Sequence, residues 1–273
     1  MVEKTKEVKP QVTEAGNKGA LVPPAQGGPV ASFVADMEKD SALGRAQMGI
    51  EDIALPYIAI LQPLSPQVTK SNPARIVGAE EGMFYNTLSQ ELYDGEEGIY
   101  VVPCAYQKAW VEWKQRTTGG GFVASHPSGD ILSRTSKDDK NFDVLPNGNV
   151  IVPTSYYYCL FLEDGEAHPV VISMARTASK KARRWNSTML GIQVVGSSGS
   201  FNPPMFSHIY KLKTIPETKN NNSWFSWDIH LYQQISDPHL YQRARQMSID
   251  VSKGLVKAAP PMETAPTDDD EPF

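Results

Sequence analysis

The sequence has few cysteines and no long apolar segment, and both absences exclude classes of protein. Among 273 residues there are only two cysteines, Cys104 and Cys159, far apart in the chain. This number excludes a four-thiolate zinc site and a network of disulfides. No apolar run approaches the ~20 residues of a membrane-spanning helix, and the charged first twenty residues lack the apolar core of an export signal. We therefore expect a cytoplasmic protein with no membrane association.

The common motifs of enzymes are also missing. The chain has no GxxxxGKS phosphate loop, no GxGxxG after a strand and no HExxH zinc motif. Its five histidines do not show the spacing of metal ligands. We therefore expect no catalytic residues, no metal and no cofactor, and an enzyme with a less recognisable site stays open as an alternative.

The net charge of −5 comes entirely from one end of the chain. The last fifteen residues carry five acids and no base, whereas residues 46–258 carry twenty acidic and twenty basic side chains. Within that region, residues 176–219 hold eight bases and one acid, Glu217. A neutral body with a locally basic stretch and a separate acidic end can attract a polyanion although the pI is low.

The pattern of apolar and turn residues predicts a mainly β fold. Short apolar or alternating segments at 57–62, 98–106, 109–114, 155–162, 168–174, 206–214 and 223–232 predict strands. Helices are predicted at 32–48, 179–194 and 238–256. Many short strands with one or two helices in the body favour an OB-like antiparallel β-barrel. We predict a disordered or partly helical extension over 1–45, one domain over 46–257 and a flexible acidic tail over 258–273.

The acidic tail ends in a pattern suited to recognition by another protein. An apolar ring and a free carboxylate follow a run of acids, so the ring can fill a pocket while the acids meet a basic surface. The alternative is a tail that only improves solubility, which would have no use for a final Phe. The residues predicted to bind partners are Asp268, Asp269, Asp270, Glu271, Pro272 and Phe273.

This ending resembles the C-terminal tip of bacterial and phage single-stranded DNA-binding proteins, and the body resembles the phage branch of that family. The resemblance implies an OB fold, binding of single-stranded DNA, and docking of a polymerase, helicase-primase or nuclease on the tail. It also implies a host-cytoplasm location. The long N-terminal extension and the long body depart from the family pattern, so strand order and assembly into a homo-oligomer stay open.

Basic and aromatic residues alternate in three places that could contact such DNA. Non-specific binding of a single strand requires cations for the phosphates and rings on which bases stack. On a strand at 108–116, the basic residues and Trp110 share one face; the alternative is that Trp110 and Trp113 pack in the core. A basic helix begins near residue 179, and a hairpin carries two lysines and Trp224. The predicted DNA-binding residues are Lys108, Trp110, Lys114, Arg116, Lys180, Lys181, Arg183, Arg184, Lys211, Lys213 and Trp224.

Together these features predict a protein that coats single-stranded DNA in replication, recombination or repair. We expect the cations and rings to line one shared groove. Two other functions stay open: a structural or adaptor protein that uses its tail without binding nucleic acid, and an RNA-binding protein.

The tail hypothesis makes the first testable prediction. Deleting residues 268–273 is expected to raise the affinity for poly(dT) at low salt, because the acids no longer compete with phosphates for the same cations. The measurement is tryptophan fluorescence titrated with poly(dT). Unchanged affinity would show that the tail does not mask the DNA-binding groove.

Overall fold

The computed structural model describes residues 31–41, 43–44, 47–49, 52–115, 119–219 and 222–258. The chain divides into two compact units, Met1–Gln47 and Met48–Phe273. In the first unit, helix α1 spans Ala31–Lys39, so it ends well before the predicted residue 48. Most of the predicted extension, the acidic tip 268–273 and Arg116 lie outside the described residues.

The second unit is dominated by β-strands. They are β1 (Ile58–Ile60), β2 (Phe84–Asn86), β3 (Leu92–Tyr93), β4 (Ile99–Trp113), β5 (Phe122–His126), β6 (Ser136–Lys137), β7 (Asp143–Val144), β8 (Val150–Glu163), β9 (Glu166–Ala175), β10 (Val194–Gly196), β11 (Gly199–Phe201), β12 (His208–Lys219) and β13 (Asn222–Gln234). The helices are α2 (Ser179–Gly191) and α3 (Pro238–Ser252). Short 3-10 helices lie at Gly129–Arg134, Arg176–Ala178 and Met205–Ser207.

Eight strands form one antiparallel sheet with β4 and β8 at its centre. The order is β13-β12-β4-β8-β7-β6, and β5 and β9 add to β4 and β8. The first part of β4 pairs with β12 and its last part with β5, while β8 runs beside nearly its whole length. A bulge between Pro103 and Ala105 interrupts the β4–β8 pairing. Such an irregularity increases the local twist and helps the sheet curl.

The β8–β9 hairpin shows how turn chemistry sets the register. Asp164 and Gly165 both have positive φ, at 48° and 81°. Two successive residues of this kind make the tight turn whose twist matches that of the flanking strands. Glu163 therefore pairs with Glu166, and the pairing continues to Thr154 opposite Ala175.

A three-stranded sheet, β1-β2-β3, bridges the two edges of the large sheet. On one side, Tyr57 forms a parallel bridge with Val171 of β9. On the other side, the Gln62 side chain bonds the backbone of Phe225 in β13: its Nε2 donates to the carbonyl and its Oε1 accepts from the N–H, both at 2.9 Å. The large sheet is thus a curled half-barrel with the small sheet between its edges.

Each face of the large sheet has its own hydrophobic core. The face that we call the α2 face carries Tyr157, Tyr210 and Trp227, and it packs against α2 and β1–β2. The opposite face, the α3 face, carries Val102, Tyr158 and Val171 and packs against Met247 and Val251 of α3. Cys104 and Cys159 are both fully buried and unoxidised.

The prediction of a mainly β fold is confirmed, and the curled antiparallel sheet is compatible with an OB-like fold. The predicted helices at 179–194 and 238–256 correspond to α2 and α3. The division of 98–114 into two strands is wrong, because β4 continues through residues 106–109 with unbroken pairing to β8. None of the helices in the described ranges is long and apolar enough to cross a membrane.

The close approach of Gly82 to β13 gives a prediction about stability. A Cβ added at Gly82 would lie 2.5 Å from the Phe225 ring. Gly78 has the same φ of 86° but open space around it. We expect Gly82→Ala to lower the free energy of unfolding by about 1–3 kcal/mol more than Gly78→Ala, measured by urea denaturation. Equal losses would show that the ring moves away without cost.

Candidate nucleic-acid interface

Helix α2 is fixed on the sheet by two aromatic side chains. Trp185 stacks on Tyr157 of β8 with ring centroids 4.3 Å apart. The Tyr157 hydroxyl donates to Asn186 Oδ1 at 2.8 Å and lies 3.0 Å from the Ala182 carbonyl. Burial raises the pKa of Tyr157, so the hydroxyl stays protonated. The orientation of the helix is therefore determined by a buried ring and a buried hydrogen bond.

This orientation places the cations of α2 on two different sides of the helix. Ala182, Trp185 and Met189 are buried against the sheet. Because residues three and four apart share a side, Arg183 lies on the side of Asn186, next to Tyr157. Lys181 and Arg184 lie on the opposite side with Thr188, and these three line a small cavity against β12 and β13.

An exposed tyrosine on β4 lies beside the first of these two sides. Tyr106 packs on Tyr157 with ring centroids 5.3 Å apart, and its hydroxyl is 3.2 Å from Ser155 Oγ. The side chain is nevertheless 38% exposed. Lys108, two residues along the strand, is exposed on the same face. We call Tyr106, Lys108, Lys180 and Arg183 the α2–β4 surface.

Trp110 shares this face but its ring is largely covered. It packs against Ile131, Leu132, Leu145 and Ile151, and a Cβ on Gly129 would lie 2.9 Å from it. The Lys108 ammonium lies 5.1 Å from the centre of the Trp110 ring. The ring therefore supports Lys108 and the 129–134 segment rather than offering an open stacking surface.

Lys181 of the basic run on α2 forms an ion pair with Glu217. Lys181 Nζ lies 2.8 Å from Glu217 Oε1 of β12, with both side chains about three-quarters buried. Glu217 is the single acid of the basic region, so its position neutralises one cation of that region. Arg183 and Arg184 are exposed and form no ion pair with any residue that the structure describes.

The two lysines of the hairpin lie on the other face of the sheet. Lys211 pairs across from Tyr100, and its ammonium is 5.1 Å from the centre of that ring. Tyr100 also contacts the exposed Tyr232 of β13, with centroids 4.8 Å apart. By strand alternation Lys213 shares this side, which is the α3 face.

The remaining predicted residues lie at the ends of hairpins. Lys114 is exposed just after β4, where its N–H donates to the Gly121 carbonyl. Trp224 is half-buried opposite Glu217, and its indole nitrogen is buried without a hydrogen-bond partner in the described residues. Trp113 is in the core at 5% exposure.

The structure does not place the predicted cations and rings in one groove. Lys108, Lys180, Arg183 and Arg184 surround the α2 face, whereas Lys211 and Lys213 lie on the α3 face. Strand alternation in the sequence shows which residues of one strand share a side. Whether that side belongs to the α2 face or to the α3 face depends on how the strand pairs with β4. Tyr106 was missed because residues 106 and 109 were assigned to separate strands, which hid its i, i+2 relation to Lys108.

A hydrogen-bonded carboxylate lies next to this surface. Glu112 follows Trp110 on the same face; its Oε2 is 3.0 Å from His126 Nε2, and its Oε1 accepts from the Asn149 amide. Burial opposes its ionisation, but the hydrogen bonds from Asn149 and His126 are stronger in sum and lower the pKa of Glu112. The carboxylate is thus satisfied within the protein. No group of three potential metal ligands occurs among the residues whose placement is described.

The Glu112 cluster predicts a pH-dependent contribution to stability. Because its pKa is lower in the folded state, Glu112 stabilises the fold above its ordinary pKa of about 4.3, and this contribution is lost as the pH falls through the folded-state value. We expect Glu112→Gln to lower the free energy of unfolding by about 1–3 kcal/mol at pH 7, and by progressively less in acid. Urea unfolding between pH 3 and pH 7 measures this, with the exposed Glu97→Gln as control. A pH-independent difference would contradict it.

No curated protein and no solved structure shows significant similarity to this chain. One family model, described as Pam3 phage gp34-like protein, matches residues 24–257. This match includes the whole of the sheet and all three helices. The chain therefore belongs to the family of Pam3 phage gp34-like proteins.

Proposed function

We propose that this phage-family protein binds single-stranded DNA without sequence specificity and coats it during replication, recombination or repair in the host cytoplasm. The strand lies on the α2–β4 surface. Membership of a phage family is consistent with this role, and the resemblance of the chain ending to single-stranded DNA-binding proteins supports it. The proposal requires neither a catalytic residue nor a cofactor.

The observation that carries the proposal is the setting of Tyr106. Its ring is exposed at the surface and packs from behind on Tyr157. A ring held in place loses little conformational entropy when a base stacks on it. Base–aromatic stacking contributes roughly 1–3 kcal/mol per base and tolerates any sequence. Tyr106 therefore takes the stacking role that the sequence suggested for Trp110.

The cations around Tyr106 supply the electrostatic part of binding. Lys108 lies on one side of the ring and Arg183 on the other, across Tyr157 and Asn186. Lys180 and Arg184 extend the positive charge over the solvent side of α2. Binding through phosphates releases counterions, so it weakens steeply as salt increases.

The acidic tip has two roles in this proposal. Residues 268–273 dock a polymerase, helicase-primase or nuclease through Phe273 and its carboxylate, and they compete with DNA for the cations of α2. The tip is attached by residues that follow α3, which packs on the opposite face of the sheet. DNA that occupies the cations then leaves the tip available to partners.

The proposal predicts a face-specific loss of affinity. Tyr106→Ala is expected to weaken binding of poly(dT) by roughly 1–3 kcal/mol because one stacked base loses its platform. Fluorescence titration at two salt concentrations measures the affinity. Tyr232→Ala removes a comparably exposed tyrosine from the α3 face and serves as the matched control.

Two further results decide between the functions. Tyr106→Phe keeps the ring and should retain most of the affinity. Quenching that does not respond to salt or to Tyr106→Ala would favour the adaptor function, and tighter binding of poly(U) than of poly(dT) would favour RNA. If Tyr106→Ala and Tyr232→Ala weaken the binding of poly(dT) equally, the DNA does not bind specifically on the α2–β4 surface.

A further inference from the structure

A small cavity between α2 and the β12–β13 hairpin is lined by two residues whose buried donors lack partners among the described residues. Its walls include Lys181, Arg184 and Trp185 of α2, and Tyr210 and Trp227 of the hairpin. Trp185 and Tyr210 are each only 1% exposed. The Trp185 indole nitrogen and the Tyr210 hydroxyl are both buried, and neither has a hydrogen-bond partner among the residues that the structure describes. An unpaired buried donor opposes folding, so a ligand that satisfies it is favoured.

The charge around the cavity selects the kind of ligand. Lys181 and Arg184 are cationic, the indole N–H only donates, and burial raises the pKa of Tyr210 to about 12, so its hydroxyl is protonated at neutral pH. The Thr188 hydroxyl donates to the Arg184 carbonyl at 3.0 Å. The cavity therefore presents donors and positive charge to its occupant, which is the requirement for an oxyanion.

Two carboxylates near the cavity do not contradict this selection. Asp228 contributes to the wall, but it lies between Trp227 and Ile229, whose side chains are on the α2 face. Alternation directs its carboxylate to the other face, where it is 2.7 Å from His230 Nε2. Glu217 binds Lys181 at 2.8 Å and so offsets one of the two cations, while Arg184 keeps its charge.

We propose that this cavity is an oxyanion site that takes one non-bridging oxygen of a DNA backbone phosphate. Its volume of about 30 Å³ exceeds the roughly 10–15 Å³ that one water-sized oxygen requires, so a single oxygen enters and the rest of the phosphate stays outside between Lys181 and Arg184. The inference rests on the proposed function for the source of the phosphate. The oxyanion site would hold the DNA on the side of α2 that is remote from Tyr106. The DNA strand would therefore cross the helix.

Tyr210→Phe is the decisive variant, because it removes one hydroxyl and nothing else. The hydroxyl has no hydrogen-bond partner within the described part of the chain, so we expect the variant to keep the melting temperature of the wild type in phosphate-free buffer. Inorganic phosphate should raise the melting temperature of the wild type at constant ionic strength, and Tyr210→Phe should weaken phosphate binding about tenfold, as loss of a hydrogen bond to a charged group does.

Three matched variants locate the bound phosphate. Arg184→Gln should weaken phosphate binding, and Glu217→Gln should strengthen it, because Lys181 is then released from its ion pair. Arg245→Gln changes an exposed arginine of α3, on the opposite face of the sheet, and should leave phosphate binding unchanged. If phosphate shifts the melting temperature of wild type, Tyr210→Phe and Arg184→Gln equally, the cavity holds only water and the inference is overturned.

A second set of measurements separates this inference from the proposed function. Oligo(dT) and its uncharged methylphosphonate analogue are titrated against the wild type and Tyr210→Phe. The backbone phosphate is supported as the ligand by two results together. Tyr210→Phe weakens the binding of oligo(dT) but not that of the methylphosphonate analogue, and inorganic phosphate competes with oligo(dT) for the wild type. Phosphate binding that depends on Tyr210, without any binding of oligo(dT), would reject the proposed function and the assignment to DNA while retaining the oxyanion site.

Discussion

The stacking of Trp185 on Tyr157 is the contact on which the surface of this protein depends. It fixes α2 against the sheet, and the hydrogen bond from the Tyr157 hydroxyl to Asn186 sets the rotation of the helix about its axis. That rotation sends Arg183 towards β4 and sends Lys181 and Arg184 towards β13. The same tyrosine supports the ring of Tyr106 from behind. One buried side chain thus positions both an exposed ring and the cations on either side of it.

The sheet divides the basic residues of β4, β12 and α2 between two surfaces. Lys108 faces α2, whereas Lys211 lies over Tyr100 on the α3 face. A polyanion that follows α2 does not reach Lys211, so positive charge on the α3 face is available for a separate purpose. The total charge of residues 46–258 is zero and gives no sign of this division. The division follows from the pairing of β12 with β4.

Much of the fold could be predicted because it depends on local patterns. Asp164-Gly165 requires a tight hairpin, and the apolar spacing of Ala182, Trp185 and Met189 identifies the buried side of α2. The candidate site was harder to predict because it depends on contacts between distant segments. Side chains between residues 129 and 151 pack on Trp110. Lys181 forms an ion pair with Glu217, which lies 36 positions further along the chain. Neither contact leaves a periodic signal in the sequence.

At the β13 edge of the sheet, one side chain pairs with the backbone of one residue as a neighbouring strand would. Gln62 offers an amide donor and acceptor to Phe225 in the arrangement that a neighbouring backbone would offer. An open edge invites pairing with strands of other molecules, which leads to aggregation. In the proposed coating of DNA, copies of the protein would lie close together along the strand. A blocked edge at this position favours an ordered array of separate molecules over fused sheets.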